Sequence, residues 1–227
     1  MTRRGDSTDR AIRTWVLIAT LGASTASAES RPKITVLLYN YAAVSPRTLA
    51  SAERETAAIY GRMGIEVEWV DGPTVSQGGR TAYRVAAGPD RLEVRLLPRR
   101  MAERLKLRSN EVGRAMLAGD GAFGTVADIY TDRLTELIAG RNWAFGSILG
   151  NLAAHELGHL LLGPGAHAPS GIMRTGWGET DVRRALQHQL SFTPRQAEQI
   201  RNHVFARIAS SPSSPVNALM ASRHAAP

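Results

Sequence analysis

The run His155-Glu156-Leu157-Gly158-His159 has the residue types and spacing of a metal site. Two imidazoles four residues apart share one face of a helix, about 6 Å apart along its axis. There they can bind one zinc ion. Glu156 is rotated to the side of that face, within reach of a water polarised by the metal. A catalytic zinc takes three protein ligands and keeps a fourth position open. The metal lowers the pKa of the water, and the carboxylate takes its proton and later delivers it to the leaving group. The bland alternative is a pair of core histidines satisfied by hydrogen bonds, with Glu156 in a salt bridge. Against it, a buried helix is a poor place for three polar side chains that have no task.

The chain has no cysteine, so a third ligand must be His, Asp or Glu. His167 follows Gly163-Pro164-Gly165, where glycine and proline end the helix and a tight turn can bring the imidazole back. Glu179 and Asp181, further on in a polar, glycine-rich stretch, are the rivals. His188, His203 and His224 read as surface residues.

The elements around the motif follow from periodicity. Lys33–Tyr39 is a β-rich apolar run and a buried strand. Ser45-Pro46 opens a helix whose inner face carries Leu49, Ala52, Thr56, Ile59, Tyr60 and Met63, with Gly64 placed to end it. Strands follow at 65–70 and 92–97, the first alternating, and Pro98 precedes a short helix over 99–107. Residues 71–81 read as a loop, and 109–124 show little periodicity. A fourth strand covers 125–131. A helix from about Asn142 to Leu162, apolar nearly all round, carries the motif and belongs in the middle of a protein. It is no membrane span, because His155, Glu156 and His159 interrupt it. The chain is then irregular to about residue 180. Thr193-Pro194, with Gln196 completing a capping box, starts a last helix.

With HELGH, a helix-ending glycine, a third histidine at 167 and Ser170-Gly171-Ile172-Met173 beyond it, residues 143–175 resemble the metzincin clan of zinc peptidases. The clan pattern, HExxHxxGxxH followed by a Met-turn, would put its glycine at Leu162 and its third histidine at Gly165; here they come one and two positions later, at Gly163 and His167. The resemblance implies that His155, His159 and His167 bind zinc, that Glu156 is the base and that Met173 underlies the site. It also implies an edge strand binding substrate backbone along the cleft, a part that position gives to Val126–Tyr130. Some members carry a tyrosine after the methionine; no tyrosine follows Tyr130 in this chain. Arg174 and Trp177, just past Met173, are placed to shape a pocket wall. The implied architecture is α+β and zincin/metzincin-like. A mixed β-sheet lobe lies over a buried active-site helix, with a small C-terminal helical lobe.

Length and composition agree with one soluble domain: 227 residues, 43% hydrophobic and 21% charged. Residues 1–28 read as a signal peptide, with a basic stretch to Arg13, a short apolar run from Trp15 to Leu21 and the small-residue pattern Ala26-Ser27-Ala28. That places the protein outside the cytoplasm, secreted or periplasmic. The domain is expected over 29–209 and a disordered Ser/Pro/Ala-rich tail over 210–227. The net charge is +8, but arginine is spread along the chain without interleaved aromatics, so no nucleic-acid partner is expected. No transmembrane segment is expected after residue 28. The reading that results is an exported zinc-dependent hydrolase acting on a protein or peptide. The alternatives are a zinc amidase acting on a cell-wall-type amide, and a non-catalytic binding protein with a vestigial site.

Overall fold

The apolar run near residue 33 forms β1 (Lys33–Asn40), with Ile34, Val36 and Leu38 buried on one face. The structure is a computed structural model and describes residues 31–72, 91–105, 111–117, 124–138 and 144–210. The proposed signal peptide, His224 and the tail after Ser210 lie outside the described residues. After β1 comes α1 (Pro46–Gly61), capped by the Ser45 side chain, which accepts from the Thr48 amide at 3.3 Å. Gly64, at φ +77°, takes the left-handed turn into β2 (Glu66–Asp71). Then follow β3 (Arg91–Leu97), α2 (Arg99–Arg104), β4 (Gly113–Met116), β5 (Val126–Tyr130) and α3 (Thr131–Leu137). The described residues finish with α4 (Phe145–Leu162), α5 (Glu179–Leu186) and α6 (Pro194–Ser210).

The strands make one mixed sheet in the order β2-β1-β3-β5-β4. β1 pairs in parallel with β2 and β3, β3 pairs in parallel with β5, and β4 runs antiparallel to β5. One face is apolar in every second residue: Val36 and Leu38, Val94 and Leu96, Ala127 and Ile129. That face lies against the same core as α1 and α4. Burying each large aliphatic chain contributes about 1.5–3 kcal/mol, which is what holds the helices to the sheet.

α4 is the central element, with 15 of its 18 residues buried. It lies between the sheet, α1 and the C-terminal helices α5 and α6. Its glycines let α1 come close: a Cβ on Gly146 would stand 2.7 Å from Ser51 Cβ, and one on Gly150 2.5 Å from the Ala52 carbonyl oxygen. Thr56 Oγ1 donates to Gly150 O at 2.9 Å and the buried Tyr60 hydroxyl to Ala154 O at 3.2 Å, tying α1 to α4. No described helix is long and apolar enough to cross a membrane.

The observed fold departs from the sequence expectations at three elements. β4 falls in a stretch with little periodicity, because Gly-Arg-Ala-Met is four residues long and carries no β-branched residue. α3 and α5 are short helices that carry no N-cap side-chain signal from Tyr130 or Gly178 of the usual Ser/Thr/Asp/Asn type. The insertion of β4 also changes which strand is the edge. Val126–Tyr130 is interior, paired on both sides, and the sheet ends instead at Gly113–Met116.

Candidate metal centre

One turn of α4 separates His155 from His159, and their Nε2 atoms stand 3.1 Å apart. Two nitrogens bound to one zinc at 2.0–2.1 Å with a tetrahedral angle stand about 3.3–3.4 Å apart, so the pair is already near that spacing. His155 Nδ1–H donates to the Ile172 carbonyl at 2.7 Å, which leaves its Nε2 lone pair facing His159. The same carbonyl accepts from Trp177 Nε1 at 3.2 Å. One main-chain oxygen thus orients the first histidine and an indole beside it.

His167 reaches the pair through a turn built on two glycines. Gly163, at φ +77°, ends α4 and donates to the His159 carbonyl at 3.0 Å; Gly165 follows at φ +73°. One contact within the loop and two with distant segments then hold it. Gln196 of α6 donates to Ala166 O at 2.9 Å, Ala168 N donates to Met173 O at 3.0 Å, and Ile172 N donates to Ser191 O at 2.9 Å. In consequence one ligand atom from each of His155, His159 and His167 lies within 4.8 Å of the others. The His159 and His167 ring centroids are 4.6 Å apart. Met173 is fully buried against the motif's own glycine: a Cβ on Gly158 would stand 2.7 Å from Met173 Sδ and 2.8 Å from Phe192 Cε1.

The electrostatics of the three polar groups on α4 come mainly from burial. Desolvation lowers the pKa of His155 to about 4, with His167 adding to the drop and the Ile172 hydrogen bond opposing it. His159 falls to about 3, again through burial first and then its two histidine neighbours. Both imidazoles are therefore neutral at pH 7 and offer lone pairs to a metal. Burial raises Glu156 to about 8, aided by the charges of Glu111 and Asp128 and opposed by the Ala115 amide, which donates to the carboxylate. A bound divalent cation would counter that rise. The partner of Glu156 here is thus a main-chain N–H of β4.

The other candidates lie elsewhere. Glu179 is exposed and pairs with Arg183 at 2.9 Å. Asp181 is buried, where it accepts from Gly178 N at 3.0 Å and pairs with Arg174; it caps α5. His188 is exposed and meets buried Glu55 at 2.5 Å. His203, expected at the surface, is half-buried, and its ring Nδ1–H donates to Leu161 O, because α6 packs along the end of α4.

The three histidines open into a cleft of about 800 Å³. Arg174 and Trp177 line one part of it, as position after Met173 led us to expect, with Thr175 between them. Two of its walls went unread in the sequence: Gly113 and Ala115 of β4, and the apolar side chains Leu134 and Leu137 of α3 beside Ile148 and Leu152 of α4. The sheet edge at the cleft, expected at Val126–Tyr130, is therefore β4. Tyr130 N donates to Val112 O at 2.9 Å, so in this antiparallel pair Val112, Arg114 and Met116 bond to β5, and the main-chain groups of Gly113 and Ala115 point outward. A glycine in an otherwise aperiodic stretch was the one available hint of a close approach.

No protein-family model matches the sequence. No curated protein matches it either. Similar solved structures include archaemetzincin from Methanopyrus kandleri, 15% identical with a TM-score of 0.47, over 77% of this chain and 97% of that one. Metalloproteinase-II from Bacteroides fragilis is 14% identical with a TM-score of 0.41, over 76% of this chain and 53% of its own.

Proposed function

We propose that this chain is an exported zinc-dependent hydrolase that cleaves peptide bonds. The observation that carries the reading is the convergence of His155, His159 and His167, with ligand atoms within 4.8 Å of one another, beside the buried carboxylate of Glu156 at an open cleft. The donor set fits zinc: three imidazole nitrogens, one of them oriented by a main-chain carbonyl, and no competing thiolate. When bound, the metal supplies a Lewis acid and a lowered pKa for water in the open position.

The protein's own groups do the rest. Glu156, buried against β4, accepts a proton from the attacking water and returns it to the leaving amine. The outward main-chain groups of Gly113 and the outward Ala115 carbonyl give an extended peptide a strand edge to pair with. The apolar wall from α3 and α4 excludes water around the scissile bond. Export is inferred from Arg13, the apolar run to Leu21 and Ala26-Ser27-Ala28.

The test is metal content by elemental mass spectrometry on residues 29–227, with His155→Ala and His167→Ala beside the wild type. About one zinc per chain is expected, absent in His155→Ala and weakened in His167→Ala. Peptide and cell-wall amide substrates are then assayed side by side. Glu156→Gln is expected to keep the metal and lose about 10²–10⁴-fold in rate. A chain that binds no zinc on reconstitution is not a zinc hydrolase, and zinc with turnover of the cell-wall amide alone makes it an amidase.

A further inference from the structure

The edge strand β4 does more than border the cleft. Gly113 has ordinary strand dihedrals, so its lack of a side chain is not a backbone requirement. The requirement is space. A Cβ at residue 113 would stand 2.8 Å from Glu156 Cδ and 3.0 Å from Cγ, and closer still to Oε1. All three atoms in its way belong to that one carboxylate side chain. Two residues on, the Ala115 amide donates to the same carboxylate. That amide points away from β5, so no rung of the ladder uses it.

We infer that β4 is the element that positions Glu156, with Gly113 giving the carboxyl group its place and the Ala115 amide fixing its direction. The inference rests on the proposal that Glu156 is the proton-transfer group. It adds two positioning residues from a strand that lies some 40 residues away in sequence. The sequence of β4 then has a reason: a small residue at 113 and an N–H at 115 that the ladder leaves unused, alternating with Arg114 and Met116, which bond to β5. A carboxylate anchored by a strand edge also senses what pairs with that edge. An extended peptide laid along β4 meets an Ala115 amide already engaged, and so is steered to the main-chain groups of Gly113 and the Ala115 carbonyl.

The experiment is a double-mutant cycle on the metal-free protein, read as urea midpoints. Gly113→Ala is expected to lower the midpoint in the wild-type background and to leave it unchanged or raised in a Glu156→Ala background, where the obstructing atoms are gone. Ala115→Pro, which deletes the amide hydrogen without removing a β4–β5 hydrogen bond, is expected to behave the same way. Equal losses in both backgrounds would mean that these residues serve the strand alone and would overturn the inference. In the zinc-loaded enzyme, Gly113→Ala is expected to keep its metal and its KM while kcat falls about 10²-fold, the usual effect of a misplacement near 1 Å. A KM rise with kcat unchanged would also overturn it. Should the wild type show no hydrolysis, the functional proposal fails, whereas the stability cycle still decides whether β4 holds Glu156.

Discussion

Alanine at Gly150 would put a methyl group into the tightest part of the α1–α4 contact. The new Cβ would lie 2.5 Å from the Ala52 carbonyl oxygen, 2.6 Å from Glu55 Cβ and 3.0 Å from Ala52 Cα. Two of those atoms are main chain, so no rotamer change relieves the overlap. Ordinary contact needs about 3.5–4.0 Å, and the helices must part by about 1 Å. Such a parting takes the Tyr60 hydroxyl, now 3.2 Å from Ala154 O, out of hydrogen-bond range, and stretches the 2.9 Å bond from Thr56 Oγ1 to Gly150 O. Overpacking costs about 1–3 kcal/mol. A buried donor left without its acceptor adds about 1–3 kcal/mol. The higher helix propensity of alanine returns about 1 kcal/mol. The net loss is about 3 kcal/mol. With a urea m-value of about 2–3 kcal/mol/M, the unfolding midpoint of the metal-free protein should drop by about 1 M or more. A midpoint equal to or above that of the wild type would refute the reasoning. It would mean that propensity alone acts and that α1 does not brace the motif helix.

The metal-free protein should be most stable near pH 6.5 as far as its three shifted site groups decide. His155 and His159 titrate near 4 and 3 when folded against 6.5 ordinarily, so the folded state binds fewer protons and stability falls as pH drops below 6.5. Glu156 titrates near 8 against 4.5, so the folded state holds a proton that the unfolded chain has lost, and stability falls as pH rises toward 8. Each group contributes a slope of about 1.4 kcal/mol per pH unit within its window, the two histidines outweighing Glu156 between 4.5 and 6.5. Urea midpoints in chelator from about pH 4 to 8 check it, and Glu156→Gln should flatten the alkaline limb and steepen the acid limb between 4.5 and 6.5. Asp181→Asn should destabilise by about 1–2 kcal/mol through the weakened α5 cap and Arg174 pair while zinc stoichiometry stays whole; loss of zinc would make Asp181 a ligand after all. Gly171→Ala, at φ +78° with its Cβ 2.6 Å from Ser191 O, should cost at least about 1–2 kcal/mol and also weaken zinc binding, because Ile172 next to it orients His155. Calorimetric zinc titration that finds the affinity unchanged would separate that loop from the metal site.

Much of the scaffold was legible because its signals are local. Ser45-Pro46 and Gly64 bracket the first helix, and the strands at 33–39, 65–70 and 92–97 differ from the observed β1, β2 and β3 by only a residue at their ends. What was missed carries weak local signals. β4 is stabilised by its ladder to β5, the next strand, and by contact with α4 some 40 residues on, and neither shows as periodicity in a four-residue run. Its absence from the sequence reading led directly to the wrong edge strand, since a sheet's order depends on pairings that periodicity does not record. His203 was misplaced for a similar reason: its polar ring suits solvent, and only the docking of α6 supplies the Leu161 carbonyl that it meets inside.

The sequence by itself determined the helix-borne pair of histidines and their face, because a four-residue separation and a 3.6-residue turn leave no other arrangement. It also excluded thiolate chemistry and marked the end of the motif helix at Gly163. The tertiary structure alone decided which later group lies beside that pair. Turn-forming residues allowed His167, Glu179 and Asp181 alike. The choice came from Ser191 and Gln196, which hold the loop from 19 and 30 residues further along, and from the contacts that engage the two acids at α5. The proton affinity of Glu156 was likewise beyond local reading, for it depends on burial and on a sheet edge brought against it by the fold.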